Sequence, residues 1–325
     1  MTRVLSLDVG GTNVRLAKAT VDARTVSLHE KVYAASREFP TLEAALAAHR
    51  AFWADAGIER VSIAVAGPVV DGVGRMTNLG WTIDAQALGR AVGLPVRVMN
   101  DFEAMARGVR RVPESAIVTL QEGRPDPAAP VAVLGAGTGL GQALLVPDAA
   151  GERVLATEGG HATLAPVDDQ DAAFIAFVRR KLGGGHVSVE RAVSGRGLAS
   201  IFEWLVEDGL ATPGAALLAE IAAGDAGAAI GAAGTRGSDP AARLAVDRFV
   251  RFYGAEAGNL ALKCVPRAGL YVTGGIAAKI LPRLREGFLP AFLGHGRMHA
   301  LLASIPVHVV LDGDVGLRGA AAAAA

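Results

Sequence analysis

The residues best suited to chemistry are carboxylates placed where extended runs of chain end. In the stretch VMNDFEA, residues 98–104, an apolar run gives way at Asn100 and Asp101 to what reads as a helix. Both residue types cap helix N-termini, because a side-chain oxygen accepts the orphan backbone N–H groups. A carboxylate at a strand end can equally take a proton from a substrate hydroxyl. Asp8 stands in the otherwise apolar run VLSLDVGG, directly before Gly10, Gly11, Thr12 and Asn13. Burying it unpaired would be costly. It either caps that turn or holds a hydrated Mg²⁺ beside phosphates, since Mg²⁺ usually takes one or two carboxylates plus water and phosphate.

Two further segments concentrate polar groups. TEGGHATLAP places Glu158 and His161 on either side of two glycines, and GHVSVERAVSG adds Glu190. Zinc prefers a tetrahedral set of N and S ligands. Glu-Gly-Gly-His is not H-E-x-x-H, and the single cysteine, Cys264, completes no such site. Carboxylates, Asn and neutral His instead supply the acceptors and donors that the hydroxyls of a pyranose require. Glu190 also reads as a solvated or capping residue.

Glycines cluster at three strand ends, residues 10–13, 135–141 and 274–275. Glycine lets consecutive backbone N–H groups face a phosphate at close range. It also makes ordinary hairpin turns. No Gly-Lys-Ser/Thr is present, so there is no P-loop, and GAGTGLG has the wrong spacing for the dinucleotide fingerprint G-x-G-x-x-G. The catalytic loop of protein kinases is missing as well.

These residues need elements to position them. Short β-type runs end repeatedly in glycine or small polar residues: VLSLDVGG, RVSIAVAGP, PVRVMND, VAVLGAG, GLYVTGG and PVHVVLDG. Helix-length segments lie between them, at 41–57, 83–93 with Asp84 as N-cap, 169–185 and 239–264. This interspersion predicts an α/β fold with mixed sheets. LSLDVGGTNVRLAKA (5–19) and VAVLGAGTGLGQALLV (131–146) share one plan of strand, Gly-Thr turn and strand, which suggests a duplicated α/β domain with a cleft between the halves. The chain has 325 residues, long for one core and suited to two domains.

Hydrophobic residues make up 51% and charged ones 20%, as a folded protein with a large interior requires. Lys plus Arg equals Asp plus Glu at 32 each, so no net field favours nucleic acid or an anionic membrane. One cysteine excludes an intramolecular disulfide and suits a reducing cytoplasm. The N-terminal apolar stretch is too short for a signal peptide, and Asp8 interrupts it. The Ala-rich region 214–234 holds Glu220 and Asp225 and makes a poor membrane span.

The segments LSLDVGGTNVRLA, SIAVAGPV, MTNLGW, MNDFEA, VLGAGTGLG, EGGH, HVSVERAVSGRGL and YVTGGI, in this order, resemble the bacterial glucokinases of the actin-like ATPase (hexokinase) superfamily. The resemblance implies two actin-like (ribonuclease H-like) α/β domains flanking a cleft. Residues 1–105 plus about 312–325 would form the small domain, and 106–311 the large one. It implies ATP as phosphoryl donor, Mg²⁺, D-glucose as acceptor, a cytoplasmic homodimer, and no nucleic-acid or membrane partner. By motif position Asp101 resembles the catalytic base. Asn100, Glu158, His161 and Glu190 resemble the ligands of the glucose hydroxyls, and Gly139 would approach the sugar through its backbone. Asp8, Gly10, Gly11 and Thr12 resemble the first phosphate and Mg²⁺ loop. Gly135, Gly137, Thr138 and Gly141 resemble the second, with Gly274 and Gly275 beside the adenosine.

The sequence departs from the family at three places. KLGGGHVSVER carries extra glycine, SGRGL has Arg196 where proline is frequent, and GGIAAK has Ala278 where proline is common. Neither Arg196 nor Ala278 is expected to touch a reacting group, and 232–240, AAGTRGSDP, reads as a variable surface loop. The Cys-x-Cys-Gly…Cys segment of the related ROK kinases and repressors has no counterpart, so the chain resembles the zinc-free branch. A ROK-type repressor would also need a DNA-binding domain ahead of the strand that begins by residue 4.

The reaction so implied is transfer of the ATP γ-phosphoryl group to the 6-hydroxyl of glucose, with closure of the cleft excluding water. A kinase of the same fold for another hexose, and a non-catalytic sugar-binding regulator, are the alternative readings.

Overall fold

Each of the six apolar runs that end in glycine or a small polar residue forms a strand in the computed structural model. The structure describes residues 1–23, 25–76, 78–149 and 151–324. Thr77 of the MTNLGW segment, and Ala325 at the end of the expected small domain, lie outside the described residues, as do Arg24 and Ala150. The chain divides into two compact units. One comprises residues 1–116, 152–156 and 312–325, and the other 117–151 and 157–311.

The first unit contains β1 (Thr2–Val9), β2 (Asn13–Val21), β3 (Val26–Ala35), β4 (Arg60–Val65), a small sheet of β5 (Val69–Val70), β6 (Val73–Met76) and β7 (Trp81–Asp84), and β8 (Val96–Asn100). Its main sheet has the order β3-β2-β1-β4-β8. β1 is antiparallel to β2 and parallel to β4, and β4 is parallel to β8. β1 is buried from Val4 to Val9, as a strand covered on both faces must be. One face carries the helices Asp101–Gly108 and Val315–Ala324. These approach so closely that a Cβ at Gly319 would overlap the Ala104 carbonyl. Ser6 Oγ donates to the Leu317 carbonyl at 2.7 Å and ties the last helix to β1. Helix Ala85–Val92 has Asp84 as its N-cap, accepting from Gln86 and Ala87 N–H.

The second unit contains β9 (Ile117–Gln121), β10 (Val131–Ala136), β11 (Leu140–Asp148), the ends of β12 (Gly151–Thr157), β13 (Gly269–Thr273) and β14 (Val307–Val310). Its strands neighbour one another in the order β11-β10-β13-β14-β9. β10 is antiparallel to β11 and parallel to β13. This is the pattern of β1 with β2 and β4, so the repeated strand–turn–strand segment is a repeated topology. Helix Pro240–Cys264 crosses the core, with Phe249, Tyr253 and Phe288 meeting edge to face at 5.8 Å. Burying each such side chain stabilises the fold by about 1.5–3 kcal/mol.

Two sequence readings are corrected. Residues 41–57 form two helices, Leu42–Ala48 and Arg50–Trp53, with Thr41 Oγ1 capping the first. Of residues 232–240 only 237–239 are a connection between helices. Helix Ala226–Arg236 starts at the Asp225 cap and ends on Gly237, and Asp239 then caps the next helix. Of the two glycines in that stretch, Gly234 is a buried packing position within the helix and Gly237 is its left-handed C-cap. Among the described residues no helix is long and apolar enough to cross a membrane.

Candidate functional site

Asp8 lies near the C-terminal end of β1, facing Arg15 across the hairpin. The Arg15 guanidinium pairs with Asp8 Oδ2, so the buried carboxylate has its counter-charge. Arg15 Nη1 also donates to the Gly313 carbonyl at 2.8 Å. Asp314, one residue on, takes Lys31 Nζ at 2.5 Å, and this hydrogen bond holds Lys31 above the usual lysine range. Gly10, Gly11 and Thr12 form the tight turn into β2, with Gly10 N–H donating to Asn13 O at 2.9 Å. Ser36, the first residue after β3, braces it: its N–H donates to Thr12 O and its hydroxyl to Gly10 O, both at 2.9 Å. Nothing in the local sequence around residue 10 announces Ser36.

At the end of β8 the two polar residues divide the work. Asn100 is the helix N-cap: its Oδ1 accepts Phe102 N–H at 2.8 Å and Glu103 N–H at 3.3 Å. Its Nδ2 donates to the Gly67 carbonyl at 3.1 Å and fixes the AGPV segment after β4. Asp101 is the first residue of the helix, half-buried, with Oδ1 accepting Phe102 N–H at 2.9 Å. A helix N-terminus favours a negative group at this position.

In the second unit the β10–β11 turn is closed by Gly137 N–H on Gly139 O at 2.8 Å. Helix Gly195–Glu207 presses its start onto the turn, Gly195 N–H donating to Gly137 O at 2.9 Å. Gly135 and Gly141 are not in the turn; they face each other in the paired strands behind it. Gly274 lies just past β13 and begins the short helix Gly275–Lys279. The buried hydroxyl of Tyr253 joins the two strand ends: it accepts Ala136 N–H at 3.0 Å and lies 3.2 Å from the Thr273 carbonyl, to which it donates. Burial pushes the Tyr253 phenol above its ordinary range.

A cavity of about 990 Å³ opens beside these turns, lined by Gly137, Thr138 and Gly275 together with Arg196, Arg236 and Lys279. Arg196, expected to be a bystander, is thus one of three cations on this wall. Arg236 lies in the stretch read as a loop.

Glu190 is fixed by the same turn. Its Oε2 accepts Leu140 N–H at 3.0 Å, and a Cβ at Gly139 would overlap that oxygen. The EGGH segment is zipped to the Glu190 segment by Val189 N–H on Ala162 O and Leu164 N–H on Val187 O, both 2.9 Å. Glu158 and His161 present side chains that are 82% and 63% exposed, with Nε2 and Oε2 3.9 Å apart. The structure therefore brings Gly139, Glu190, Glu158 and His161 into one connected substructure. Among the described residues no group of three His, Cys, Asp or Glu is arranged to hold a metal ion.

Comparison with known proteins places this architecture. The family model for glucokinase matches residues 5–325. A glucokinase of Nostoc sp. is 40% identical, covering 100% of this chain and 99% of its own length. A glucokinase from an Antarctic psychrotroph has a similar structure, with a TM-score of 0.85 and 31% identity over 100% of this chain and 99% of its own. A ROK family glucokinase of Streptomyces griseus, solved with glucose and AMPPNP, is more distant at a TM-score of 0.67 and 26% identity over 99% of both chains. The fold is that of the actin-like sugar kinases, and the chain belongs to the glucokinase family of ATP-dependent hexose kinases.

Proposed function

We propose that the chain phosphorylates the 6-hydroxyl of D-glucose from ATP, giving glucose 6-phosphate and ADP, with Asp101 as the base. The observation that carries this reading is the double use of the β10–β11 hairpin. One side of its turn binds the Glu190 carboxylate, a ligand suited to sugar hydroxyls, and Gly137 and Thr138 of the same turn line the cationic cavity. Sugar and phosphate chemistry thus share one rigid backbone segment.

In this reading the first unit is the small domain and the second the large one. Asp101 orients the 6-hydroxyl and accepts its proton late, when bonding to phosphorus has made the hydroxyl acidic. Asn100 is chiefly the cap that aims Asp101, with one N–H of Nδ2 left for the sugar. Glu158, His161 and Glu190 hold the other hydroxyls. Backbone N–H groups of the 10–12 and 137–139 turns orient the phosphates, and Arg196, Arg236 and Lys279 add positive charge along the donor wall. Gly274 and Gly275 begin the helix beside the nucleoside part of ATP.

Asp8 suits a hydrated Mg²⁺, because Arg15 occupies only Oδ2 and Oδ1 remains for a metal-bound water. When bound, the ion offsets phosphate charge. A cytoplasmic homodimer completes the proposal, and light scattering of the purified protein tests the dimer. A coupled ADP-release assay over glucose, fructose, mannose and N-acetylhexosamines tests the function. The reading requires glucose to give the highest kcat/KM; preference for another hexose, or no ADP release with any sugar, contradicts it.

A further inference from the structure

Glu256 is a carboxylate in the middle of helix Pro240–Cys264, 4% exposed, and no cation lies beside it among the described residues. A buried carboxylate persists only where hydrogen bonds replace its water. Here two neutral amides do so: Gln142 Nε2 donates to Oε1 at 2.7 Å, and Asn259 Nδ2 donates to Oε2 at 3.1 Å. Asn259 Oδ1 in turn lies 3.3 Å from His295 Nε2.

Gln142, itself 2% exposed, sits directly beneath the EGGH segment. Its Oε1 fills the space that a Cβ at Gly159 would take. Its backbone carbonyl accepts the Thr157 hydroxyl at 3.1 Å, and Thr157 Oγ1 accepts Gly159 N–H at 3.2 Å. Residues 157 and 159, which bracket Glu158, therefore rest on residue 142 through both its side chain and its backbone. We infer that Glu256 is a positioning residue for sugar binding: it fixes the Gln142 amide, and Gln142 fixes the backbone that presents Glu158 and His161. This rests on the reading of those two residues as sugar ligands.

The carboxylate form is what the geometry demands, because two N–H donors each take one of its oxygens. In Glu256→Gln only one acceptor oxygen remains, so Gln142 or Asn259 must either lose its bond or turn its amide over, which for Gln142 exchanges the Oε1 now packed against Gly159 for an N–H group. The exchanged pair, Glu256→Gln with Gln142→Glu, restores every bond, since the amide now at position 256 donates to the carboxylate now at position 142 and accepts from Asn259.

The test is steady-state kinetics on E256Q, on E256Q/Q142E and on E158Q, with folding checked by circular dichroism. E256Q should raise the glucose KM about tenfold, while kcat and the ATP KM stay within about twofold of wild type. The exchanged pair should recover the glucose KM. An unchanged glucose KM in E256Q, or an equal rise in the ATP KM, overturns the inference while leaving the sugar site standing. If E158Q binds glucose normally, the sugar-site reading fails first and this inference with it. Should E256Q not fold, Thr157→Val at the exposed end of the chain must show the same selective rise, and its absence is equally fatal.

Discussion

Glu190 Oε2 accepts the backbone N–H of Leu140 at 3.0 Å, which binds a carboxylate suited to sugar hydroxyls onto the turn that borders the cavity lined by Gly137 and Thr138. The contact leaves no room for a side chain at Gly139. Gly139→Ala should therefore displace the carboxylate and lower kcat/KM for glucose at least about tenfold, about 1.4 kcal/mol of transition-state stabilisation. Initial-rate kinetics at saturating ATP check this. Wild-type kcat/KM in a folded Gly139→Ala protein would show that the Glu190 contact has no part in sugar recognition.

The Asp8–Arg15 pair makes a different prediction for the donor side. Asp8→Asn keeps the shape but removes the charge that Arg15 faces and that would hold the hydrated metal ion. The ATP KM and the Mg²⁺ concentration for half-maximal rate should both rise, about tenfold or more, with glucose binding by calorimetry unchanged. An unaltered Mg²⁺ titration removes Asp8 from the donor site.

Tyr253 yields a prediction in pH. Its phenol is raised in the folded protein by burial, whereas in the unfolded chain it titrates near about 10. The neutral form is the one the fold accommodates. Its contribution is fully present below the unfolded value and is lost as pH rises above about 10. Urea unfolding from pH 8 to 11 should show wild-type stability falling at the alkaline end, and Tyr253→Phe should flatten that fall. At pH 8 the same variant should lose about 1–3 kcal/mol, because Ala136 N–H is left buried without its acceptor.

The strands, the duplicated hairpins and the caps at Asp84 and Asn100 were legible because each is written locally, as an apolar run, a Gly-Thr turn or an Asx residue at a helix start. The residues that brace the site were not. Ser36 and Tyr253 act on partners far along the chain, as Glu256 does on Gln142, and residue spacing carries no trace of such pairings. The stretch 232–240 misled for a physical reason: glycine signals a turn when it is exposed, as Gly237 is, yet Gly234 is buried where its helix meets the next one. Arg196 was expected to touch no reacting group; the fold brings it to the wall that Thr138 and Lys279 also form.

In the function proposed above, Asp101, set at the start of its helix by the Asn100 cap, takes the proton from the 6-hydroxyl. The most direct measurement compares Asp101→Asn with wild type in two assays on the same folded protein, turnover by coupled ADP release and glucose affinity by calorimetry. With Asp101 as the base, kcat should fall by about 10²–10⁴-fold while the glucose Kd changes little, as removal of a general base requires. A kcat near wild type, or a loss confined to glucose affinity, would contradict it.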